Sequence, residues 1–341
     1  MNASGKSGSS SNDKIFRILS LDGGGIRGVF PAALLARLEE HLEHPIGRYF
    51  DLIAGTSTGG IIAIGLGLGL SARDILKLYV EEGPAIFGQQ YGTIENWVRQ
   101  KLRGMAHLLV TKHSSEPLRR ALEGVIGRRT LGESRTRLVI PAWHPVLEHV
   151  YIYKTAHHPR LETDHKQPAI DAAMATAAAP TFLKPHMTES AVELVDGGVW
   201  ANNPIGVAAI EAIGVLGWPA DKLKILSIGT INEPGKLPRI RGKLPMATSV
   251  TRLFMAGQAH SALGTAKILT GDVHERKAIW RIDQMAPEGR YTLDNTARIS
   301  EMRDRAFAEA REQLPELKRH FFGAPAAEFV PFHKLSVPAP I

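Results

Sequence analysis

Residues 50–66 read FDLIAGTSTGGIIAIGL, which is a short apolar run, a small polar turn and a second apolar run. The pattern predicts a buried strand that ends at Ala54, then a tight turn, then a helix. The turn is a G-x-S-x-G motif, in which Gly55 and Gly59 remove side chains that would collide at a sharp strand-to-helix bend. Such a serine stands above a sheet at a helix N-terminus, where developing negative charge is favoured. We therefore predict that Ser57 is a nucleophile; the alternative is a serine that only caps the helix.

A second glycine-rich turn lies upstream, where residues 21–28 read LDGGGIRG. It follows a predicted strand over 15–21 and precedes a helical pattern over 29–42, so strand, turn and helix occur twice in succession. Successive glycines allow main-chain N–H groups to converge on an anion, as in an oxyanion hole. The first, third and last of these glycines also satisfy G-x-G-x-x-G, the dinucleotide fingerprint. That fingerprint requires an acidic residue at the end of the second strand, and the sequence has none there, so the oxyanion interpretation is favoured.

A third motif, Asp196-Gly197-Gly198, follows a predicted strand over 192–195. An aspartate at the C-terminal end of a strand lies at the edge of the sheet where α/β proteins build their sites. Alone the motif is more often a turn than a catalytic base. Its significance depends on the two other motifs.

Further strands are predicted at 137–142, 150–155 and 222–229, with helical patterns between them. Strands that alternate with helices predict an α/β fold of three layers, in which a mostly parallel central sheet lies between helices.

Composition narrows the class of protein. The chain has 341 residues, a net charge of +7, 44% apolar residues and no cysteine. The absence of cysteine excludes disulfides, thiolate metal sites and a cysteine nucleophile. We predict a disordered leader over 1–13 and one domain over 14–341, with a helical insertion at about 83–134 and a helical C-terminal extension at about 246–341. Because residues 1–13 lack the apolar core of a secretory signal, we expect a cytoplasmic protein.

The three motifs, together with AAPTF at 178–182, resemble the patatin-like phospholipases, which are lipid acyl hydrolases with a serine–aspartate dyad. The resemblance extends from about residue 18 to about residue 229. It implies that Ser57 is the nucleophile and that Asp196 is its base. It also implies an oxyanion hole made by the amides of Gly23, Gly24 and Gly25. The supporting positions are Arg27, Gly55, Gly59, Gly197 and Gly198.

The resemblance implies a reaction and its partners. The reaction is cleavage of fatty-acyl esters in phospholipids, with no cofactor and no metal. Some bacterial members of the family are anti-phage effectors that a cyclic dinucleotide activates, and such an activator is one implied partner. The other is a phospholipid membrane surface, so we expect peripheral binding to the inner membrane when the protein is active. A homo-oligomer is compatible with the resemblance, and no nucleic-acid polymer is expected.

The net positive charge suits adsorption to anionic lipid headgroups. The basic clusters that we consider for this contact are Arg119-Arg120, Arg128-Arg129 and the stretch 236–243. The alternative for each cluster is a solvated helix face or loop.

Several other interpretations stay open at this point. A conventional triad would use His260 or His274, which follow Asp196 in the chain. The pair His157-His158 suggests a metal site, although we favour a structural role. The uncharged stretch 52–70 has the length of a membrane span, but its glycines and polar turn favour a buried strand and helix. A different class of function is a non-catalytic lipid-binding or signalling module.

Overall fold

The computed structural model describes residues 14–88, 114–180, 182–232, 243–274, 276–287 and 289–335, with side chains from 253 onward in the segment that begins at 243. Eight strands form its central sheet. In chain order they are β1 (Phe16–Leu21), β2 (Leu52–Gly55), β3 (Arg137–His144), β4 (His149–Lys154), β5 (His186–Met187), β6 (Glu193–Asp196), β7 (Leu223–Asn232) and β8 (Ile279–Met285). Every strand that the sequence predicted is present, with its ends shifted by a few residues.

The helices of the described segments lie between and after these strands. They are α1 (Val29–Glu39), α2 (Thr58–Gly67), α3 (Ala72–Lys77), α4 (Gly83–Phe87), α5 (Glu116–Ile126), α6 (Ala169–Ala177), α7 (Gly198–Ala201), α8 (Ile205–Ile210), α9 (Lys243–Thr270) and α10 (Ile299–His320). Among the described residues, no helix combines the length and the apolarity that crossing a bilayer requires. The uncharged stretch 52–70 forms β2, a tight turn and α2.

The sheet is mixed and mostly parallel, as predicted. Its order is β5-β6-β3-β2-β1-β7-β8, and β4 pairs with β3 outside this path. Strands β1, β2, β3, β7 and β8 run parallel to their neighbours in this set, whereas β4, β5 and β6 pair antiparallel. The C-terminal ends of the parallel strands therefore share one edge of the sheet, which is where α/β proteins place their sites.

The position of β6 follows from the two edges of β3. Strand β4 occupies one edge of β3 from Val139 to His144. Strand β2 pairs with β3 from Arg137 to Val139 and no farther, whereas β6 pairs with β3 at Ala142 and Trp143. Because β4 fills the first edge, β6 must share the second edge with β2 and lie just beyond the C-terminal end of β2. This arrangement brings the end of β6 to the turn that follows β2.

Helices cover both faces of the sheet, which confirms the three-layer fold. Strand side chains alternate between the faces, so that Leu19 packs under α1, α2 and α10 while Ile18 packs on the opposite side, under α8 and α9. The core on the first face is the larger of the two and includes the aromatic pair Phe321 and Phe322, which follow α10.

Strand β8 departs from the predicted helical C-terminal extension. It pairs in parallel with β7 and lengthens the sheet by one strand. Its sequence is IWRIDQM, in which Arg281 and Asp283 lie between apolar residues. These charged residues interrupt the run of hydrophobic residues that usually indicates a buried strand. The rest of the described extension is largely helical.

Three predicted features lie partly or wholly outside the described residues. They are the leader 1–13, the basic stretch 236–243 and the centre of the predicted insertion, at 89–113. The described parts of the insertion, α4 and α5, are helical. The division of the chain into a leader, a domain and its extensions stays a prediction.

Candidate active site

Ser57 lies on the sharp turn between β2 and α2, as predicted. Its backbone has φ 55° and ψ −126°, a left-handed conformation that costs a non-glycine residue about 1–3 kcal/mol. The turn is also very tight. A Cβ on Gly55 would lie 2.2 Å from the carbonyl oxygen of Gly59, and a Cβ on Gly59 would lie 2.4 Å from that of Leu21. Both glycines are therefore required for the chain to bend here.

Side chains from distant segments hold this turn in place. The amide of Ser57 donates to Oγ1 of Thr176 at 3.0 Å, and that hydroxyl donates to the carbonyl of Pro141 at 2.6 Å. The hydroxyl of Tyr79 donates to the carbonyl of Thr58 at 2.7 Å. These bonds connect the strained turn to α6 and β3, so the surrounding structure maintains the conformation of Ser57.

Asp196 ends β6 and stands beside Ser57. It pairs with Ala142 in the sheet, and its amide donates to the carbonyl of Ala178 at 3.0 Å. One carboxylate oxygen accepts the amide of Gly198 at 2.6 Å, and the hydroxyl of Ser57 donates to the same carboxylate group. A Cβ on Gly197 would lie 2.3 Å from the carbonyl of Pro141, so β6 approaches β3 closely at this point.

Burial dominates the electrostatics of this carboxylate. It raises the pKa of Asp196 to about 6, and the hydrogen bonds from Ser57 and Gly198 only partly oppose that shift. A carboxylate with a pKa near 6 is a stronger base than one with the usual value near 4. The arrangement places a serine hydroxyl against a base of suitable strength for proton transfer.

The glycine-rich turn after β1 lies against Ser57, because a Cβ on Gly23 would come within 3.1 Å of the Cβ of Ser57. The prediction of three oxyanion-hole amides needs a correction. The amide of Gly23 donates to the carbonyl of Asn202 at 2.9 Å and is not free to bind an oxyanion. Within the described residues, the amides of Gly24 and Gly25 bond to no acceptor, so these two remain the candidate oxyanion donors.

Arg27 braces this turn from the other side. Its guanidinium donates to the carbonyl oxygens of Gly24 and Ile231, at 3.3 and 3.0 Å. As a supporting residue, Arg27 could contact the phosphate of the substrate or keep the turn rigid. These two bonds favour rigidity.

Arg281 fixes the start of the same turn. Its guanidinium forms two parallel bonds with the carboxylate of Asp22, at 2.9 and 2.5 Å, and a third with the hydroxyl of Ser227 at 2.8 Å. Burial raises the pKa of Asp22, and the charge of Arg281 opposes that shift. Strand β8 thus supplies the counter-ion for the residue that precedes the oxyanion glycines.

Replacing Arg281 with methionine is expected to lower the free energy of unfolding by about 3–5 kcal/mol, because it leaves the carboxylate of Asp22 buried without its partner. Urea unfolding measures the change. The double variant Asp22→Asn with Arg281→Met is expected to recover part of the loss, since no buried charge remains. Arg303→Met, which breaks an exposed pair with Asp304, serves as the control and should change stability by less than about 1 kcal/mol. A loss of less than 1 kcal/mol in Arg281→Met would contradict the assignment.

The histidines that the sequence singled out lie elsewhere. His260 and His274 are exposed, and the described residues place no histidine against Ser57 or Asp196. His157 is buried and bonds to Glu211 and Thr155, at 2.9 Å each, which fits the structural role favoured above. The described part of the chain contains no group of three or more side chains able to hold a metal ion.

Sequence reasoning missed Thr176, Asn202 and Arg281, which position the site through contacts far along the chain. Thr176 is a polar residue within an alanine-rich helix, and that contrast is a signal that was available. Asn202 lies four residues after the end of the Asp-Gly-Gly motif, and no pattern there indicates that its carbonyl accepts the amide of Gly23. For Arg281 no local signal exists, because its partner lies on a different strand.

Comparisons with known proteins cover most of the chain. The sequence model described as Patatin-like phospholipase matches residues 19–209. A cGAMP-activated phospholipase of Vibrio cholerae serotype O1 is 32% identical over 345 residues, which is 92% of this chain and 96% of that protein. A cGAMP-activated phospholipase of Escherichia coli is 37% identical over 230 residues, 64% of this chain and 62% of that protein.

A plant relative and a solved structure complete the comparison. Patatin-like protein 2 of rice (Oryza sativa) is 34% identical over 232 residues, 59% of this chain and 55% of that protein. The crystal structure of VipD from Legionella pneumophila aligns with 90% of this chain and 67% of that chain, at 13% identity and a TM-score of 0.47.

Proposed function

The chain belongs to the patatin-like phospholipase family, and we propose that it hydrolyses fatty-acyl esters of phospholipids with Ser57 as nucleophile and Asp196 as general base. The observation that carries this proposal is the hydrogen bond from a serine hydroxyl, held on a strained turn, to a buried carboxylate of raised pKa. Strain at Ser57 and burial of Asp196 both cost stability, and catalysis is a reason to retain both.

The first half of the reaction forms an acyl-enzyme. Ser57 transfers its hydroxyl proton to the carboxylate of Asp196 and attacks the ester carbonyl carbon. The carbonyl oxygen becomes an oxyanion, which the amides of Gly24 and Gly25 stabilise. The tetrahedral intermediate then expels the alkoxide of the lysophospholipid, and protonated Asp196 gives its proton to that oxygen.

The second half regenerates the enzyme. Asp196, again ionised, takes a proton from a water molecule as the water attacks the acyl-enzyme. The second tetrahedral intermediate releases the fatty acid, and the proton on Asp196 returns to the oxygen of Ser57. No step requires a histidine.

We further infer that a cyclic dinucleotide activates the enzyme, because the V. cholerae relative that matches nearly its full length carries the name cGAMP-activated phospholipase. The substrate would then be presented by a membrane surface to which the active protein binds peripherally. The alternative of a non-catalytic lipid-binding module gives no reason for the strained Ser57 or the buried Asp196.

Fatty-acid release from mixed phospholipid vesicles tests these proposals. The purified full-length protein is assayed alone, with cGAMP and with the linear dinucleotide that cGAMP hydrolysis gives. We expect release only with cGAMP. Equal release in all three samples would overturn the activation proposal and leave the phospholipase proposal intact. Tight vesicle binding without release under any condition would favour the lipid-binding module instead.

The activity is expected to depend on pH through Asp196. The ionised carboxylate is the active form, and its pKa is raised to about 6, so kcat/KM for a water-soluble short-chain ester should rise from pH 4.5 through pH 6 and level off above about pH 7. A carboxylate with an ordinary pKa would already be fully active at pH 5.5. A profile that is flat between pH 5 and pH 7 would exclude Asp196 as the base.

A further inference from the structure

Large apolar side chains are exposed around the edge of the sheet where Ser57 and Asp196 lie. Exposed apolar residues are common singly, and a group of them around one opening indicates an interaction surface. Six of them come from the β3–β4 turn, β5, α7 and α9. We call them the apolar rim: Val146, Leu147, Met187, Val199, Leu253 and Phe254.

The β3–β4 turn projects beyond the active site. Asp196 is level with Ala142 in the sheet, because the two residues pair. At about 3.3 Å per residue, His144 already lies about 7 Å farther out than Ala142, and the turn that carries Val146 and Leu147 lies beyond it. Leu147 is 61% exposed, although its side chain is fully apolar.

Met187 projects on the same side. Strand β6 runs inward to Asp196, so its first residue, Glu193, lies outside the active-site level. Met187 pairs with Glu193 and is exposed at that outer position.

Helix α7 connects the β3–β4 turn to α9. The indole Nε1 of Trp200 donates to the carbonyl of Ala142 at 2.9 Å, and Nε2 of Gln258 donates to the carbonyl of Val199 at 2.6 Å. Val199 is three residues after Asp196 and is itself exposed. Helix α7, which carries Val199, is therefore bonded both to β3 and to α9.

The direction of α9 places its first half at the active-site edge. The guanidinium of Arg276 donates to two carbonyl oxygens, that of Thr270 at 3.0 Å and that of Leu223 at 3.2 Å. Thr270 is the last residue of α9, and Leu223 is the first residue of β7. That end therefore lies at the edge opposite Ser57. Phe254, which is 65% exposed, lies about 6 Å beyond Gln258 in the other direction, because it is one helical turn closer to the N-terminus.

We propose that the apolar rim inserts into the acyl region of a phospholipid bilayer and so presents the active site to the ester bonds of its substrate. This inference rests on the proposed phospholipase function, because a substrate that resides in a bilayer must reach Ser57 from this edge. A bilayer also fits the distribution of the rim, whose exposed side chains come from four separate elements. The rim meets the membrane by apolar burial, which acts on neutral and anionic lipids alike.

In the described part of the chain, most arginines of the basic clusters are engaged in contacts within the protein. Arg119 and Arg120 pair with glutamates one turn away along α5, and the guanidinium of Arg129 donates to three main-chain carbonyls. These contacts favour a solvated helix face for Arg119 and Arg120 and a structural role for Arg129. We expect binding through the apolar rim to be largely insensitive to salt, since screening weakens charge contacts and not apolar burial.

Vesicle flotation with the full-length protein tests the rim. Ser57→Ala is used as the parent so that the vesicles stay intact, and cGAMP is present throughout. Leu147→Ser and Phe254→Ser are each expected to weaken binding to neutral phosphatidylcholine vesicles about 10-fold, at 50 mM and at 500 mM NaCl alike. The matched control is Ile268→Ser, which removes a 70% exposed apolar side chain from the opposite end of α9 and should bind as the parent does.

Kinetics with intact Ser57 separate membrane docking from chemistry. Leu147→Ser and Phe254→Ser should lose vesicle hydrolysis by about the same factor and keep the parental kcat/KM for a water-soluble short-chain ester. Parental vesicle binding by both rim variants, or an equal loss in Ile268→Ser, would overturn the proposal. So would a change of oligomeric state in sedimentation without a change in vesicle binding, because the rim would then bind a second copy of the chain. If the wild type hydrolyses neither substrate with cGAMP, the phospholipase proposal fails, and flotation still reports on the rim.

Discussion

Ser57→Ala is expected to abolish fatty-acid release, with a fall in kcat on the order of 10⁴–10⁶-fold. In the proposed mechanism the hydroxyl oxygen of Ser57 forms the bond to the acyl carbon, and no other described side chain contacts Asp196 in a position to replace it. The two oxyanion amides remain in the variant, but they stabilise an intermediate that no longer forms. Release of labelled fatty acid from vesicles in the presence of cGAMP measures the change.

Ser134→Ala is the matched control for this variant. Ser134 is also buried, and its hydroxyl donates to the carbonyl of Thr136 at 2.8 Å, away from the active site. It should keep normal activity. Ser57→Ala itself should unfold at nearly the wild-type urea concentration, because it removes one hydroxyl and leaves the backbone of the turn unchanged. More than about 1% residual activity in a folded Ser57→Ala protein would exclude Ser57 as the nucleophile.

The parts of the site that the sequence predicted are those encoded within a few neighbouring residues. The turn at Ser57 needs glycine two residues before and after it, and the collisions that a Cβ would cause at Gly55 and Gly59 explain why this spacing is informative. The strand-to-helix pattern around it is equally local. The fold class followed from repeating the same pattern along the chain.

The parts that the sequence did not predict depend on contacts between distant segments. The carbonyl of Asn202 accepts the amide of Gly23 and so makes it unavailable to an oxyanion, and no residue of the glycine-rich turn predicts that bond. Arg281 lies in β8, a strand that the sequence did not predict because charged residues interrupt its apolar pattern. It pairs with Asp22 only because β8 joins the sheet beside β7. Such pairings follow from the topology of the sheet, which one sequence does not determine.

The closeness of Ser57 and Asp196 has the same origin. Asp196 ends β6, Ser57 lies on the turn that follows β2, and these two strands occupy successive lengths of the same edge of β3. A shift of one residue in the pairing of β6 would move the carboxylate by about 3.3 Å and turn its side chain to the other face of the sheet. The close approach of Gly197 to the carbonyl of Pro141 fixes this register.

Asp196→Asn is expected to lower kcat by about 10³–10⁴-fold, because an amide accepts no proton from Ser57 or from water. The same variant is expected to be more stable than the wild type at pH 8. In the folded protein burial raises the pKa of Asp196 to about 6, above its value of 3.8 in the unfolded chain, so the folded state binds the proton more tightly. The wild type therefore loses stability as the pH rises from about 4 to about 6, by about 3 kcal/mol in total, and asparagine avoids this penalty.

Thermal unfolding of both proteins at pH 4 and pH 8 measures this second effect. The advantage of Asp196→Asn should be small at pH 4, where the wild-type carboxyl is protonated in the folded state, and should reach its full size above about pH 7. Asn203→Asp introduces a second buried carboxyl near the same site, so it should have the opposite effect and become less stable relative to the wild type as the pH rises. A variant that is inactive and also less stable at pH 8 would mean that Asp196 serves the fold. Inactivity together with greater stability would mean that the protein keeps a buried carboxylate at a cost in stability because the reaction requires it.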